Sequence, residues 1–208
     1  MSMVKLKVCG MKEQDNILEI AAYRPDYMGF IFFRKSPRFV GEQFQIPEAL
    51  EPAIKRVGVF VNESVENMIA HSLKHQLDFI QLHGDESSGT CRVLKDNKLG
   101  VIKVFGIDNV FDFESIKPFE SFVDYFLFDY KGELHGGNGI PFDWNVLKQY
   151  ESDVPFFLSG GISPDNVMEV QDLSHQKLYA IDVNSGIEDK PGIKSKNKLE
   201  ALLSKILK

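Results

Sequence analysis

The sequence predicts an α/β protein folded as a parallel (β/α)8 barrel. Eight runs of apolar, β-branched and aromatic residues recur along the 208-residue chain, and helix-like stretches lie between them. The alternative is an open, doubly wound sheet, but no Gly-x-Gly-x-x-Gly pattern follows the first run to support a dinucleotide-binding fold. Glycines and polar side chains follow the predicted strands at their C-terminal ends, where barrels of this class build their active sites.

The predicted strands are short and rich in Val, Ile, Phe and Tyr, which favour extended structure. The first run ends at Cys9, and Gly10 then lets the chain turn. Each later run likewise ends close to a glycine, asparagine, aspartate or basic residue. The eight predicted strands comprise residues 4–8, 27–33, 56–61, 79–82, 101–105, 125–129, 155–158 and 178–183.

Most strands are followed by a stretch with helical character, and several of these stretches begin with a capping residue. Asn62 and Ser64 suit the start of one helix, and Ser163 followed by Pro164 suits the start of another. The segment at 47–52, after the second strand, is too short for more than a turn or two. The helices are predicted near residues 14–22, 64–76, 86–96, 111–116, 143–149, 164–172 and 196–207.

The composition fits one globular domain, residues 1–208, near the minimum length for an eight-stranded barrel. The chain is 43% hydrophobic and 26% charged, which is ordinary for a globular protein. Its formal charge of −6 gives no electrostatic footprint for nucleic acid. No apolar run approaches the roughly 18 residues of a membrane span, and the N-terminus lacks a secretory signal. We therefore expect a cytoplasmic, soluble protein that does not bind membranes.

Two cysteines have different settings. Cys91 lies in a helix-like segment without Cys-x-x-Cys or Cys/His spacing, so neither a disulfide framework nor a structural zinc site is well supported. Cys9 stands at a strand end, where catalytic groups of a barrel lie. It is either a reactive thiol or, as free cysteines more commonly are, a small buried apolar side chain.

The loops after the last two strands predict a phosphate site. Gly160 and Gly161 follow strand seven and lead into a helix start at Ser163, where backbone N–H groups can approach an anion. Ser185 and Gly186 follow strand eight and add further donors. Phosphate sites after strands seven and eight are frequent in this fold. The alternative is that both loops are merely tight turns.

Three further features surround the same predicted rim. Asp129 ends strand six, so its carboxyl group and the Cys9 thiol can form an acid/base pair, although a strand-end aspartate often only caps a turn. Arg38 lies in a turn that Pro37 pre-orders and can bind a carboxylate bidentately, although most loop arginines are simply solvated. The glycine-rich stretch at 132–139 is either a mobile cover over a ligand or a surface turn.

Short stretches spread along the sequence, taken together, closely resemble the phosphoribosylanthranilate isomerase family, the (β/α)8 isomerases of tryptophan biosynthesis. Each stretch is weak alone, but they run in family order over essentially the whole chain, from strand one to strand eight. The matching stretches are residues 7–11, 29–33, 35–40, 57–62, 81–85, 128–129, 136–139, 142–144, 159–161 and 182–188.

The resemblance implies an Amadori rearrangement of N-(5-phosphoribosyl)anthranilate, with Cys9 as general base and Asp129 as general acid. It implies that Arg38 pairs with the anthranilate carboxylate and that the phosphorylated substrate is the only ligand, without metal or organic cofactor. The protein would act as a monomer or a homodimer. The substrate-binding residues that the resemblance implies, besides Arg38, are Gln81, His83, Gly137, Asn138, Gly160, Gly161, Asp182, Ser185 and Gly186.

Strand alternation adds a prediction about Lys7. Lys5, Lys7 and Cys9 share one face of the first strand, so Lys7 faces the barrel interior if Cys9 does. An unpaired buried ammonium group is costly, so we expect a partner such as Asp182. We also expect this neighbouring cation to lower the pKa of Cys9.

The chain departs from the family pattern at three positions, and these departures concern contact detail. Asn138 and Asn184 stand where the family commonly has a hydroxyl residue, and Ile140 replaces a position that is often basic or polar. The first two keep hydrogen-bonding capacity, whereas Ile140 puts any charge contact from that part of the loop in doubt.

Rival functions remain open at this point. A ribulose-phosphate epimerase would need metal-binding His and Asp residues at several strand ends, and only His83 suits that role. The related isomerase of histidine biosynthesis uses a pair of aspartates, whereas strand one ends in Cys9 here. A catalytically silent barrel that binds a phosphorylated ligand is a rival from another class. The presence of Cys9, Asp129 and Arg38 together argues against it.

Overall fold

A computed structural model describes residues 4–108, 110–130, 144–173 and 177–206 of the chain. Eight parallel strands form a closed barrel in which every strand pairs with its neighbours in chain order and β1 pairs with β8. The predicted fold class is therefore confirmed. The strands are β1 Lys5–Val8, β2 Tyr27–Ile31, β3 Lys55–Phe60, β4 Phe79–Leu82, β5 Gly100–Ile107, β6 Tyr125–Tyr130, β7 Phe156–Leu158 and β8 Leu178–Val183.

The α-helices of the described residues are α1 Gln14–Ala21, α2 Val65–His75, α3 Ser88–Asp96, α4 Glu169–Asp172 and α5 Lys196–Ile206. Ser64 caps α2 as predicted, because its side chain accepts a bond from the Asn67 N–H. The helix predicted at 86–96 begins later, since Ser87 is the capping residue and the Glu86 side chain is buried. None of these helices is long and apolar enough to cross a membrane.

Three connections differ from the predicted α-helices. The segment after β5 is a 3₁₀ helix, Phe113–Phe122, and contains Pro118, which cannot donate an α-helical hydrogen bond. The segment after β6 is described from Trp144 and is also a 3₁₀ helix, Trp144–Gln149. The helix predicted at 164–172 is confined to α4, and turns precede it.

One element was not predicted. Between β8 and α5 lies a two-stranded antiparallel hairpin, β9 Glu188–Lys190 and β10 Ile193–Lys194. Gly192 turns the chain at a φ of +85°, which glycine adopts without strain. The hairpin follows the loop predicted to bind phosphate, so it carries its side chains to the active end of the barrel.

The barrel interior near the N-terminal ends of the strands is filled by aromatic and aliphatic side chains. Tyr27 is central to this cluster, and its ring lies 5.1 Å from that of Phe157 and 5.7 Å from that of Phe79, centroid to centroid. Because this end is packed, any ligand must enter from the C-terminal ends of the strands. The buried members of the cluster are Tyr27, Val57, Ile102, Val104, Leu127, Phe157 and Ala180.

Candidate active site

A pocket open to solvent lies at the C-terminal ends of the strands. It brings together the predicted site residues that fall within the described ranges; Gly137 and Asn138, like Ile140, lie outside them. Ile31, Phe33, Val59, Val61 and Ile162 supply an apolar side to the pocket. The predicted residues that line it are Cys9, Arg38, Gln81, His83, Asp129, Gly160, Gly161, Asp182, Ser185 and Gly186.

Cys9 follows β1 directly, and its position is fixed by both neighbouring strands. Its N–H donates to the Val183 carbonyl at 2.9 Å. A Cβ atom on Gly29 of β2 would lie 2.6 Å from the Cys9 Sγ, so the thiol has room only because that position is glycine. Burial raises the pKa of Cys9, although Lys7 and Lys194 act in the opposite direction. The expected effect of a nearby cation is thus present but smaller than the effect of burial.

Lys7 and Asp182 form a buried ion pair beneath the Cys9 thiol. The Lys7 side chain is completely buried, and its Nζ lies 2.8 Å from the Asp182 Oδ1. The parallel register of β1 and β8 places these residues side by side. Although burial alone would lower it, the pKa of Lys7 is raised by attraction to Asp182 and to Cys9. The predicted burial of Lys7 and its pairing with Asp182 are confirmed.

Asp129 lies near the end of β6, across the pocket from β1, and is 9% exposed. Its Oδ1 accepts a hydrogen bond from the Tyr130 N–H at 2.8 Å. Burial raises the pKa of Asp129, although this bond, Ser159 and Lys7 oppose the shift. The carboxyl group therefore keeps its proton to a higher pH than an exposed aspartate does.

His83 lies beside this carboxyl group. Its Nε2 is 3.6 Å from the Asp129 Oδ2, and its Nδ1 is 3.2 Å from the Gln81 Nε2. Burial, with the nearby charge of Lys7, lowers the pKa of His83 to about 4. The imidazole is consequently neutral near pH 7 and adds no positive charge beside the Asp129 carboxyl group.

The two loops predicted to bind phosphate meet at one side of the pocket. Gly160 and Gly161 have φ values of +94° and +75°, a region that favours glycine. A Cβ atom on Gly186 would lie 2.1 Å from the Ile162 carbonyl oxygen, so the loops approach each other closely only because of that glycine. Backbone N–H groups and the Ser185 hydroxyl can therefore converge on one anion.

The predicted helix start behind this site is reduced to a turn. The Ser163 carbonyl accepts from the Val167 N–H, but α4 begins only at Glu169. Asn166 explains the interruption, since its side chain accepts from the Ser163 N–H at 2.8 Å and donates to the Gly161 carbonyl at 3.0 Å. The expectation of a full helix N-terminus at Ser163 was wrong, and the donors of this loop act without a long helix behind them.

Arg38 reaches the pocket from the loop after β2, where Glu188 of β9 holds it. The Arg38 Nε lies 2.9 Å from the Glu188 Oε1, and its Nη2 lies 2.7 Å from Oε2. Sequence reasoning did not assign a role to Glu188. It also missed Lys194, whose Nζ lies 2.7 Å from the Glu188 Oε1, because this contact depends on the unpredicted hairpin.

A further buried ion pair, between Lys103 and Glu86, holds the loop after β4, and it too was missed. The Lys103 Nζ lies 2.9 Å from the Glu86 Oε2 and donates to the Gly84 carbonyl at 2.6 Å. The Glu86 Oε1 also accepts from the Asn62 N–H at 2.8 Å. These bonds tie the His83 loop to the neighbouring loop after β3. The one sequence signal for them was Lys103, the single charged residue in the otherwise apolar β5.

The chain is similar to known proteins over nearly its whole length. Residues 6–205 match the family model described as N-(5'phosphoribosyl)anthranilate (PRA) isomerase. The N-(5'-phosphoribosyl)anthranilate isomerase of Parabacteroides distasonis is 43% identical over 97% of this chain and 93% of its own. That of Campylobacter jejuni is 39% identical over 99% of this chain and 100% of its own.

Solved structures agree with this match. The crystal structure of phosphoribosyl anthranilate isomerase from Thermotoga maritima superposes with a TM-score of 0.86, at 32% identity over 99% of both chains. A phosphoribosyl anthranilate isomerase in complex with reduced 1-(o-carboxyphenylamino)-1-deoxyribulose 5-phosphate superposes with a TM-score of 0.83, at 31% identity over 99% of both chains. The chain therefore belongs to the N-(5'-phosphoribosyl)anthranilate isomerase family, the isomerases of tryptophan biosynthesis.

Proposed function

We propose that this enzyme catalyses the Amadori rearrangement of N-(5-phosphoribosyl)anthranilate with Asp129 as general acid and Cys9 as general base. The observation that carries the assignment is that one pocket holds a buried thiol, directly after β1, and a buried carboxyl group, on β6. Strands β7 and β8 separate them around the barrel, so the two groups can act on different atoms of one bound sugar.

In the first step, Asp129 gives its proton to the furanose ring oxygen as the bond from C1 to that oxygen breaks. The anthranilate nitrogen supplies its lone pair, and the product is a protonated Schiff base. The raised pKa of Asp129 suits this role, because burial keeps a proton available for transfer.

In the second step, the Cys9 thiolate removes the proton from C2. The C2–H electron pair forms the C1–C2 double bond, and the C–N π pair returns to nitrogen, which gives an enolamine. Transfer of a proton to C1 and loss of the C2 hydroxyl proton then yield the aminoketose. The cationic Schiff base and the nearby Lys7 both favour the thiolate over the buried thiol.

The rest of the pocket has groups suited to the ends of this substrate. Gly160, Gly161, Ser185 and Gly186 would hold the phosphate through backbone and hydroxyl donors, and Arg38 would bind the anthranilate carboxylate. The apolar side of the pocket would pack against the aromatic ring. The product-like ligand named for a related structure has a phosphate and a carboxylate of this kind.

The test is the loss of anthranilate-type fluorescence when the purified protein meets freshly prepared N-(5-phosphoribosyl)anthranilate. Cys9→Ser and Asp129→Asn should each lower kcat at least a hundredfold, roughly the contribution of a positioned acid or base. Cys91→Ser, which changes the other buried thiol, and Asp153→Asn, on an exposed loop, are matched controls and should retain the rate.

The outcomes separate the rival functions. Loss of rate in both site variants, with both controls active, supports the acid/base assignment. A wild-type protein that binds the product analogue without consuming substrate would instead support the silent barrel. Retention of rate by either site variant would overturn that residue's role.

Three further expectations accompany the proposal. We expect a small phosphorylated substrate as the ligand and a monomer or homodimer as the working form, in the cytoplasm. A related structure is described as monomers made from the dimeric Thermotoga maritima enzyme, so both states are compatible with the fold. Light scattering of the purified protein distinguishes them.

A further inference from the structure

We infer that Lys194 is a positioning residue that couples the carboxylate-binding and phosphate-binding ends of the substrate site. The inference rests on the proposed function. Lys194 ends β10, outside the pocket lining, and its side chain is completely buried. It would act through Asn184, which lines the pocket, and through Glu188, which holds the pocket residue Arg38.

Three bonds from one ammonium group make the connection. The Lys194 Nζ donates to the Glu188 Oε1 at 2.7 Å, to the Asn184 Oδ1 at 2.6 Å and to the Asn184 carbonyl at 3.4 Å. The backbone of Lys194 is itself held by Asn16 of α1, which accepts from its N–H at 2.8 Å and donates to its carbonyl at 2.9 Å. The ammonium group therefore has a fixed position and all three of its protons can be used.

On the carboxylate side, Glu188 orients Arg38. It binds the edge of the guanidinium formed by Nε and Nη2, as the distances of 2.9 and 2.7 Å show. A guanidinium has five N–H donors, so the Nη1 and Nη2 edge still offers two parallel donors to a second carboxylate. Glu188 thus holds the arginine by one edge and leaves the other edge for the substrate.

Charge gives Lys194 its importance in this arrangement. Arg38 and Lys194 overcome the effect of burial and hold the pKa of Glu188 below its usual range, so Glu188 is ionised. A lone Glu188 would neutralise Arg38. Burial lowers the pKa of Lys194 to about 8, so near pH 7 it is mainly protonated and the three side chains then carry one net positive charge, which favours an anionic ligand.

On the phosphate side, Lys194 holds Asn184, which directly precedes Ser185 and Gly186. The side chains of Asn184 and Arg38 both approach Gly10, where a Cβ atom would lie 2.7 Å from the Asn184 Oδ1 and 2.8 Å from the Arg38 Cδ. This close packing leaves little space for either residue to move alone. A shift of the lysine should therefore be felt at both ends of the substrate.

The experiment compares binding of two reduced product analogues, one with the anthranilate carboxylate and one with a plain phenyl ring. In the wild type, the Kd of the phenyl analogue divided by the Kd of the carboxylate analogue measures how strongly Arg38 favours the carboxylate. Lys194→Met should reduce that ratio about tenfold or more, the worth of a charge-assisted hydrogen bond, and should also raise the Kd for inorganic phosphate. Lys194→Arg should restore part of both effects.

The matched control is Lys198→Met. Lys198 donates to the backbone carbonyl of Glu188 rather than to its carboxylate, so its removal should change neither quantity. In an Arg38→Met background, Lys194→Met should cause no further loss of carboxylate discrimination, because the arginine through which it acts is gone.

A purely structural role for Lys194 would lower the Tm without changing the Kd ratio, and that result would overturn the inference. If Lys194→Met does not fold, Glu188→Gln makes the same test on the carboxylate side, with phosphate binding retained. A wild type that binds both analogues with the expected ratio but does not turn over substrate would refute the proposed function and leave this inference standing.

Discussion

At the scale of single residues, the proposed acid and base are both buried, and burial raises the pKa of each. Aspartate has the lower ordinary pKa of the two. The working state requires a proton on Asp129 and none on Cys9. Between the two pKa values this is the less populated arrangement of one proton on the pair, so the enzyme would work through a fraction of its molecules.

The pH dependence of kcat/KM follows from this assignment. Below the pKa of Asp129 the rate should rise with pH as thiolate forms; between the two pKa values the gain of thiolate and the loss of carboxylic acid cancel. Above the pKa of Cys9 only the loss of acid remains, so the rate falls. A broad plateau is therefore expected in initial rates measured across pH.

A substitution at Lys7 tests whether Cys9 sets the alkaline pKa of the kcat/KM profile. Lys7→Gln removes a cation that favours the thiolate, so the alkaline pKa should move upward. The control is Lys55→Gln, which alters a half-exposed lysine at the first residue of β3, at the opposite end of the barrel from the pocket. An alkaline limb that stays in place in Lys7→Gln would show that Cys9 does not set it.

At the scale of elements, the sequence predicted the eight strands well because their apolar, β-branched pattern directly reflects burial. It predicted the helices less well where side chains compete with the backbone. Asn166 bonds the backbone of its own turn, and Pro118 lacks a donor, so both segments depart from α-helix. Rim residues were predictable from strand ends, whereas Lys194 depended on a hairpin with no clear signal.

The close packing of β1 and β2 gives a prediction at this scale. Gly29→Ala would place a methyl group 2.6 Å from the Cys9 Sγ, so the thiol must move. We expect kcat to fall at least tenfold, with a loss of stability of about 1–3 kcal/mol from overpacking. Steady-state kinetics and urea denaturation measure the two effects.

Gly89→Ala provides the matched control. Gly89 is exposed near the start of α3, and a Cβ atom there would come no closer than 3.4 Å to Ser87. The same substitution should preserve kcat and stabilise the protein by up to about 1 kcal/mol, because alanine favours helix. Equal losses of activity in both variants would contradict the proposed position of the thiol.

At the scale of the whole molecule, the Lys7–Asp182 pair joins the two strands that close the barrel. Lys7→Met leaves Asp182 buried without its partner and should lower the free energy of unfolding by about 3–5 kcal/mol. The double variant Lys7→Met/Asp182→Leu removes both charges and should recover most of that loss. Urea denaturation with a common m value measures these differences.

Removal of an exposed ion pair tests whether burial of the Lys7–Asp182 pair is the cause of the large loss of stability. Lys177→Met breaks the contact with Asp153, which is fully exposed, and should change stability by less than about 1 kcal/mol. If the double variant at Lys7 and Asp182 is as unstable as Lys7→Met, then lost packing rather than an unpaired charge accounts for the effect.

The closure of β1 against β8 also sets when the enzyme can become active during folding. Lys7 and Asp182 are 175 positions apart in the sequence, and Arg38 and Glu188 are 150 apart. Contacts of such long range form slowly, because closing the long loop between the two residues costs conformational entropy before the contact can stabilise the fold. Cys9 and Arg38 are synthesised before their partners on β8 and β9, so the site cannot assemble until those two strands follow. Catalysis should therefore appear only after β8 and β9 have closed onto the strands made before them.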